Sequence, residues 1–368
     1  MGGRWITALG GLALIGAAPA ADRVTVVPVA IGGQSGRALP IHIGGRVERT
    51  ADGDRRQWPG TYWEAAFEGA GVSLRVGEGD VILKVSVDGV PTATLVKPRP
   101  GNYAIDGLTS GRHVVRVDVA SESQAGATVF GGLYATGMTR PLPAPTRTHR
   151  IEFIGDSHTV GYGNTATTQD CTEAQVWATT DTAQGLPAVL AQRFDADYQV
   201  NAISGRGIVR NYNGFAADTL PTAYPFVLFD KASRYAPAGW QPQLIVIALG
   251  TNDFSTPLHA GEPWATRDAL HAAYQARYTA FVRQLRAQNS RAHILLWATD
   301  MASGEIAEQA GRVAATLRAA GDRRVAFLPV PGLAFSGCHS HPSLADDRRI
   351  ADRLAAYVDA HPGLWAGR

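Results

Sequence analysis

From residue 22 to about residue 140, apolar and polar positions alternate in short runs interrupted by glycine. The clearest are Val72-Leu74-Val76, Val81-Leu83-Val85-Val87 and His113-Val115-Val117-Val119. Successive side chains on a strand point to opposite faces, so this spacing predicts half-buried antiparallel strands. The turn signals Gly77-Glu78-Gly79, Asp88-Gly89 and Ser110-Gly111 separate them, as in a β-sandwich or jelly roll. No amphipathic helix pattern stands out in this part. The run Arg140-Pro141-Leu142-Pro143-Ala144-Pro145 locks backbone angles and removes amide donors, which suits an extended linker. A domain boundary is therefore expected there, with a sandwich over 22–140, a linker over 141–148 and a second domain over 149–368.

Past the linker, short continuous apolar runs alternate with longer helix-like stretches. Strands are expected at Ile151–Ile154, Gln199–Ile203, Leu244–Leu249, Ile294–Ala298 and Val325–Val330. Continuous apolar runs suit strands buried on both faces. Helices are expected at about Leu186–Phe194, Asp268–Gln288, Glu305–Ala320 and Leu344–Asp359. This alternation predicts a doubly wound parallel sheet with helices on both faces. Chemistry in such folds gathers at the carboxyl ends of the strands.

Composition narrows the picture. A length of 368 residues favours two domains, each able to bury a core, and 45% hydrophobic residues describe a globular protein. A net charge of +2, without a dense Lys/Arg run, gives no electrostatic basis for nucleic-acid binding. Arg4 precedes an apolar stretch, Ile6 to Ala17, ending in Ala18-Pro19-Ala20. That layout predicts an export signal over residues 1–20 cleaved after Ala20. The stretch is shorter than the roughly 20 apolar residues of a membrane-spanning helix, and no later segment is long and apolar enough. A periplasmic or secreted mature protein is expected, where disulfides persist. The two cysteines, Cys171 and Cys338, permit one disulfide and exclude a cysteine-based zinc site. A bridge is the expected state, with two unlinked buried thiols as the alternative.

Three expected strand ends carry polar chemistry. Ile154-Gly155-Asp156-Ser157-His158 exposes a serine at a strand-to-turn junction, where its own amide can face a developing oxyanion. Asn201-Ala202-Ile203-Ser204-Gly205-Arg206-Gly207 offers a glycine whose amide can approach a ligand unobstructed. In Leu249-Gly250-Thr251-Asn252-Asp253 the Asn252 side chain can donate to an oxyanion. Each loop alone is also an ordinary turn. A general base is supplied by Gly337-Cys338-His339-Ser340-His341-Pro342, since neutral imidazole can take a serine proton and return it to a leaving alcohol. His341 is the expected base. His158 adjoins Ser157 in sequence, but neighbouring side chains on a tight turn diverge. Trp58, Trp63 and the Tyr212 loop are candidates for stacking on sugar rings, but ordinary burial preferences make several of them expected core residues.

Serine, glycine, asparagine and histidine in this order, each at an expected strand end, resemble the four blocks of the SGNH (GDSL-like) hydrolases over about residues 149–360. Phe153-Ile154-Gly155-Asp156-Ser157 with Gly161-Tyr162-Gly163-Asn164, and Gly337-Cys338 followed by His341-Pro342-Ser343, are similar to carbohydrate esterase family 2, the acetyl xylan esterase type. The resemblance implies an SGNH flavodoxin-like doubly wound parallel sheet behind an N-terminal β-sandwich (jelly-roll) domain. It implies deacetylation of acetylated polysaccharide or oligosaccharide without metal or organic cofactor. It also implies Ser157 as nucleophile, His341 as base, and an oxyanion hole made by the Ser157 and Gly205 amides and the Asn252 side chain. Two departures stand out. The family aspartate three residues before the histidine is Cys338 here, and the Asp often found two residues before it is His339. A backbone carbonyl can replace the carboxylate, which implies a Ser–His dyad. The alternatives are a carboxylate from Asp346 or Asp347, or decayed catalysis in a carbohydrate-binding protein. An SGNH esterase or lipase acting on envelope glycans or lipids is the rival of the same class.

Overall fold

A computed structural model of the chain describes residues 24–29, 36–236 and 239–366. The expected export signal lies outside these residues. Two antiparallel sheets form the N-terminal part. One runs in the order Thr25–Val29, Gly101–Asp106, Val72–Val76, Thr128–Ala135, Gly53–Arg56, Glu48–Thr50, with Arg37–Ala38 also paired to Thr128–Ala135. The other runs Arg140–Pro141, Tyr62–Glu68, Arg112–Val119, Ile82–Val87, Val90–Val96, with His42–Gly44 on Tyr62–Glu68. The alternation seen in the sequence is the inward face: Val72, Leu74, Val76, Leu83, Val85, Val115 and Val117 fill one core with Trp63, Ala65 and Phe67.

The Pro-rich run begins as an edge strand rather than as free linker. Arg140–Pro141 pairs with Tyr62–Glu68, and the Leu142 amide donates to the Ala66 carbonyl at 3.0 Å. An edge is the place in a sheet that tolerates proline.

In the C-terminal part five parallel strands take the order β2-β1-β3-β4-β5: β1 His149–Gly155, β2 Ala196–Ala202, β3 Leu244–Ala248, β4 His293–Ala298 and β5 Val325–Pro329. This is the flavodoxin-like order, whose switch point lies where β1 is flanked by β2 and β3. The expected strands match these spans, with β2 starting three residues earlier than the apolar run alone indicated. Helices cover both faces because both faces are apolar: Ile245, Ile247, Ile294 and Leu296 pack on one side, Leu244, Val246, Leu295 and Trp297 on the other. The sequence missed helix α1, Glu173–Thr179, which has little apolar face and starts at a Thr172/Gln175 capping box. The expected helices are α2 Leu186–Arg193, α3 Arg267–Gln288, α4 Glu305–Ala319 and α5 Leu344–Asp359.

The two parts share a core. Tyr62 packs in the cluster that includes Phe153 and Val200, and Trp58 in the cluster that includes Ile154 and Ile203. Six of the seven residues of Tyr62–Glu68 are buried, because the sandwich covers one face and the second part the other. Trp58 and Trp63 are 0% and 1% exposed, so neither presents a stacking face for a sugar ring. Arg46 is buried against the Tyr224 and Tyr235 rings, at 4.3 Å and 4.2 Å from their centroids, and pairs with Glu152 at 3.2 Å.

Candidate active site

The site forms at the carboxyl ends of β1, β2 and β3, the switch point of the sheet. β1 ends at Gly155, where a Cβ would lie 2.0 Å from Thr159 Oγ1. The chain then turns into a short helix, Ser157–Val160, capped by Asp156, whose carboxylate accepts the His158 amide at 3.1 Å. Ser157 is thereby the first helical residue, with its amide facing outward from the helix N-terminus. It is 4% exposed.

From the far end of the chain, His341 reaches the same spot. Its Nε2 accepts the Ser157 hydroxyl at 2.9 Å. Its Nδ1 donates to the backbone carbonyls of Cys338 at 3.0 Å and His339 at 3.2 Å. Both partners of Nδ1 are acceptors only, so Nδ1 carries the proton and Nε2 is free to accept. Burial pushes the imidazole down to about 4, which leaves it neutral at pH 7. Neither alternative carboxylate approaches Nδ1. Asp346 instead accepts the amides of Ala334, Phe335 and Ser343, and Asp347 takes the Asn164 side-chain amide at 2.8 Å.

The histidine loop is held from several sides. A Cys171–Cys338 disulfide fastens it to the segment before α1. Gly163, with φ of +56°, lies so close that a Cβ there would sit 2.4 Å from Cys338 Cβ. His339 and Ser340 both take left-handed backbone, φ +51° and +58°, a strain that persists where surrounding contacts over-determine it. The His339 ring does not face Nδ1 of His341. It spans the Tyr162 hydroxyl at 3.0 Å and the Cys171 carbonyl at 2.7 Å. Tyr162 in turn lays its ring on His341, centroids 4.3 Å apart. The His158 ring packs edge-on against His341 at 5.6 Å, and burial drives it down to about 3. It is a wall of the site and not a partner of the Ser157 hydroxyl.

On the opposite side lie the candidate oxyanion donors. Gly205 adopts φ of +82°, and Phe215 approaches where its Cβ would be, at 3.2 Å. Asn252 Nδ2 donates to Asp156 Oδ2 at 3.2 Å and to the Arg206 carbonyl at 2.9 Å. Donation to an oxyanion therefore requires one of these bonds to be shared or exchanged. Asp156 is raised to about 7 by burial, reinforced by the neighbouring Asp253 carboxylate.

Two features escaped the sequence. Glu122, in the loop before strand Thr128–Ala135, reaches across to accept the Ser204 amide at 2.8 Å; no local motif marks it. A groove of about 670 Å³ opens between the two parts, bordered by Glu122, Gln124, Lys97, Tyr162 and Trp177. Tyr212 and Phe215, 52% and 42% exposed, stand beyond Gly205. Among the described residues no helix is long and apolar enough to cross a membrane, and no group of three or more His, Cys, Asp or Glu side chains is arranged to hold a metal ion.

Residues 43–145 match the family described as carbohydrate esterase 2 N-terminal, and residues 153–364 match the GDSL-like lipase/acylhydrolase family. The chain is 42% identical over 337 residues to an acetylxylan esterase/glucomannan deacetylase of Cellvibrio japonicus, covering 90% of this chain and 94% of that protein. It is 28% identical to the cellulase/esterase CelE of Acetivibrio thermocellus, over 83% of this chain and 38% of that larger protein. A solved carbohydrate esterase, with an active site described as having divergent catalytic and non-catalytic binding functions, superposes with a TM-score of 0.84 at 42% identity, covering 89% of this chain and all of that one. A family two carbohydrate esterase from Clostridium thermocellum in complex with cellohexaose superposes with a TM-score of 0.77 at 26% identity, over 88% of this chain and 99% of that one.

Proposed function

The chain belongs to carbohydrate esterase family 2, and from that premise we propose that it removes O-acetyl groups from acetylated polysaccharide or oligosaccharide by a Ser157–His341 dyad. The observation that carries this reading is the 2.9 Å contact between Ser157 Oγ and His341 Nε2, with Nδ1 bound to backbone carbonyls. Neutral His341 takes the proton of Ser157 as Oγ attacks the acetyl carbonyl carbon. Negative charge then develops on the carbonyl oxygen, beside the Ser157 and Gly205 amides and the Asn252 side chain. As the C–O bond to the sugar breaks, His341 Nε2 returns the proton to the leaving alkoxide. Water, deprotonated by the same nitrogen, attacks the acetyl-serine carbonyl, and His341 passes that proton to Ser157 Oγ as the acyl–oxygen bond breaks and acetic acid leaves.

The Cys338 and His339 carbonyls do part of what a carboxylate does in a triad. They fix the tautomer and the ring orientation, but as neutral dipoles they stabilise the imidazolium less. The groove beside Tyr162 and Trp177 is where the polymer would lie, and Tyr212 and Phe215 offer exposed rings near the oxyanion side. The Ala18-Pro19-Ala20 sequence and the Cys171–Cys338 disulfide support export to the periplasm or beyond.

The test compares acetate release from p-nitrophenyl acetate and from acetylated xylan and glucomannan by the native protein, Ser157→Ala and His341→Ala. Loss of roughly 10⁴-fold or more in kcat is expected in both variants, in line with loss of a nucleophile or its base. Equal low activity in all three proteins points instead to a binding protein, and activity confined to long acyl chains to a lipase-like enzyme.

A further inference from the structure

The loop Ser121–Gln124 of the N-terminal sandwich makes a closed set of hydrogen bonds with one residue of the hydrolase part. Glu122 Oε1 accepts the Ser204 amide at 2.8 Å. The Gln124 side-chain amide donates to the Ser204 carbonyl at 3.2 Å and to Glu122 Oε1 at 3.1 Å. Both backbone polar groups of Ser204 are thus gripped by side chains from the other domain, and the two gripping side chains brace each other.

What makes the grip consequential is where the next amide points. The Ser204 carbonyl and the Gly205 N–H belong to one planar trans peptide, so they point in opposite directions. Fixing the carbonyl fixes the donor. A hydrogen bond to that carbonyl also polarises the peptide unit and strengthens the N–H at its other side. Gly205, with φ of +82° and no side chain, has little of its own to hold this plane in place. Transition-state donors stabilise charge only when they are held in position before it forms.

We infer that Glu122 and Gln124 are positioning residues that act across the domain boundary, through Ser204, to hold the Gly205 amide toward the oxyanion. The inference rests on the reading of Gly205 as an oxyanion donor given above. It gives the sandwich a part in the chemical step, apart from any role in holding polymer. Glu122 is partly buried at the edge of the groove, and its burial raises its carboxyl above the usual range, countered by the Ser204 amide and the nearby Arg206.

Three variants, Gln124→Ala, Glu122→Ala and Glu122→Gln, test this on the full chain with p-nitrophenyl acetate, which carries no sugar. The second readout is inhibition by a simple alkyl boronic acid, whose tetrahedral adduct on serine places an oxygen at the oxyanion position. Removing a whole oxyanion donor lowers kcat by about 10²–10³, so loosening one is expected to lower it about 10- to 100-fold. Gln124→Ala and Glu122→Ala should show that drop with KM within about twofold, and boronate affinity should weaken in step with kcat. Glu122→Gln keeps an oxygen that can accept the Ser204 amide and should stay within about threefold of native kcat. Gln124 is exposed, so its truncation leaves the fold intact even if Glu122→Ala does not fold. Native kcat and boronate affinity in Gln124→Ala overturn the inference, as does a loss carried wholly by KM. If Ser157→Ala is as active as the native protein, it is the underlying hydrolase reading that fails.

Discussion

The acid limb of the activity profile follows directly from the way His341 is housed. Burial lowers the imidazole from its ordinary 6.5 to about 4, and the Cys338 and His339 carbonyls offset this only in part. At about 1.4 kcal/mol per pH unit, the imidazolium is about 3 kcal/mol less favourable in the site than in water. The perturbation to apply is the proton itself. At pH 5 about 90% of the base should still be neutral, against about 3% for an ordinary imidazole. The assay is kcat/KM for acetate release between pH 3 and 8, which reports the free enzyme. A limb inflecting near pH 4 is expected. Asp156, raised to about 7, titrates close to where an ordinary histidine would, so the profile is measured for Asp156→Asn as well. A limb at 6.5 or above that survives both in this variant and in Asp347→Asn, whose carboxyl burial also raises to about 7, refutes the reasoning, because it means that an unrecognised carboxylate faces His341 or that the ring is solvated. Stability carries the same sign. The folded value lies below the unfolded one, so the contribution present above pH 6.5 is lost as pH falls through about 4.

Other consequences concern the scaffold. The Cys171–Cys338 bridge closes a separation of 167 residues, for which loop entropy alone gives about 5 kcal/mol. A Cys171→Ser/Cys338→Ser double variant should unfold at markedly lower urea concentration and should also lose kcat, because the carbonyl that orients His341 belongs to Cys338; native kcat at full folding would separate the bridge from catalysis. Arg46→Ala strands buried Glu152, which also accepts from Asn201 and Tyr224. Breaking such a pair costs about 3–5 kcal/mol, and a loss below 1 kcal/mol in urea unfolding would show that Arg46 does not tie the two parts together.

The sequence was most legible where one local rule governs the outcome. The five parallel strands are continuous apolar runs because each is covered on both faces, and α5 has the expected span because its apolar face and Ser343 capping box agree. The strand Tyr62–Glu68 was not legible, since two positions of the face opposite Trp63, Ala65 and Phe67 are also non-polar in character and buried, Tyr62 against the second domain and Ala66 beside it, which blurs the alternation. Helix α1 was missed for want of an apolar face. The same limit applied to Trp58, whose sequence context does not separate a core indole from a sugar platform; in the fold it is buried and its Nε1 donates to the Phe226 carbonyl.

The order of the Ser, Gly and Asn blocks, which follow the ends of β1, β2 and β3, and of the His block in the loop before α5, was readable along the chain because the parallel fold brings these loops to one edge whatever lies between them. What replaces the missing aspartate was decided only by tertiary structure. Cys338 and His339 mark that departure in the sequence, yet the groups that orient His341 are their backbone carbonyls, which every residue possesses. The grip of Glu122 on Ser204 was equally invisible, because it joins residues 82 positions apart in different domains. Periodicity and motif spacing report local geometry and burial, whereas a hydrogen bond between distant segments depends on how separately folded layers come to rest against each other.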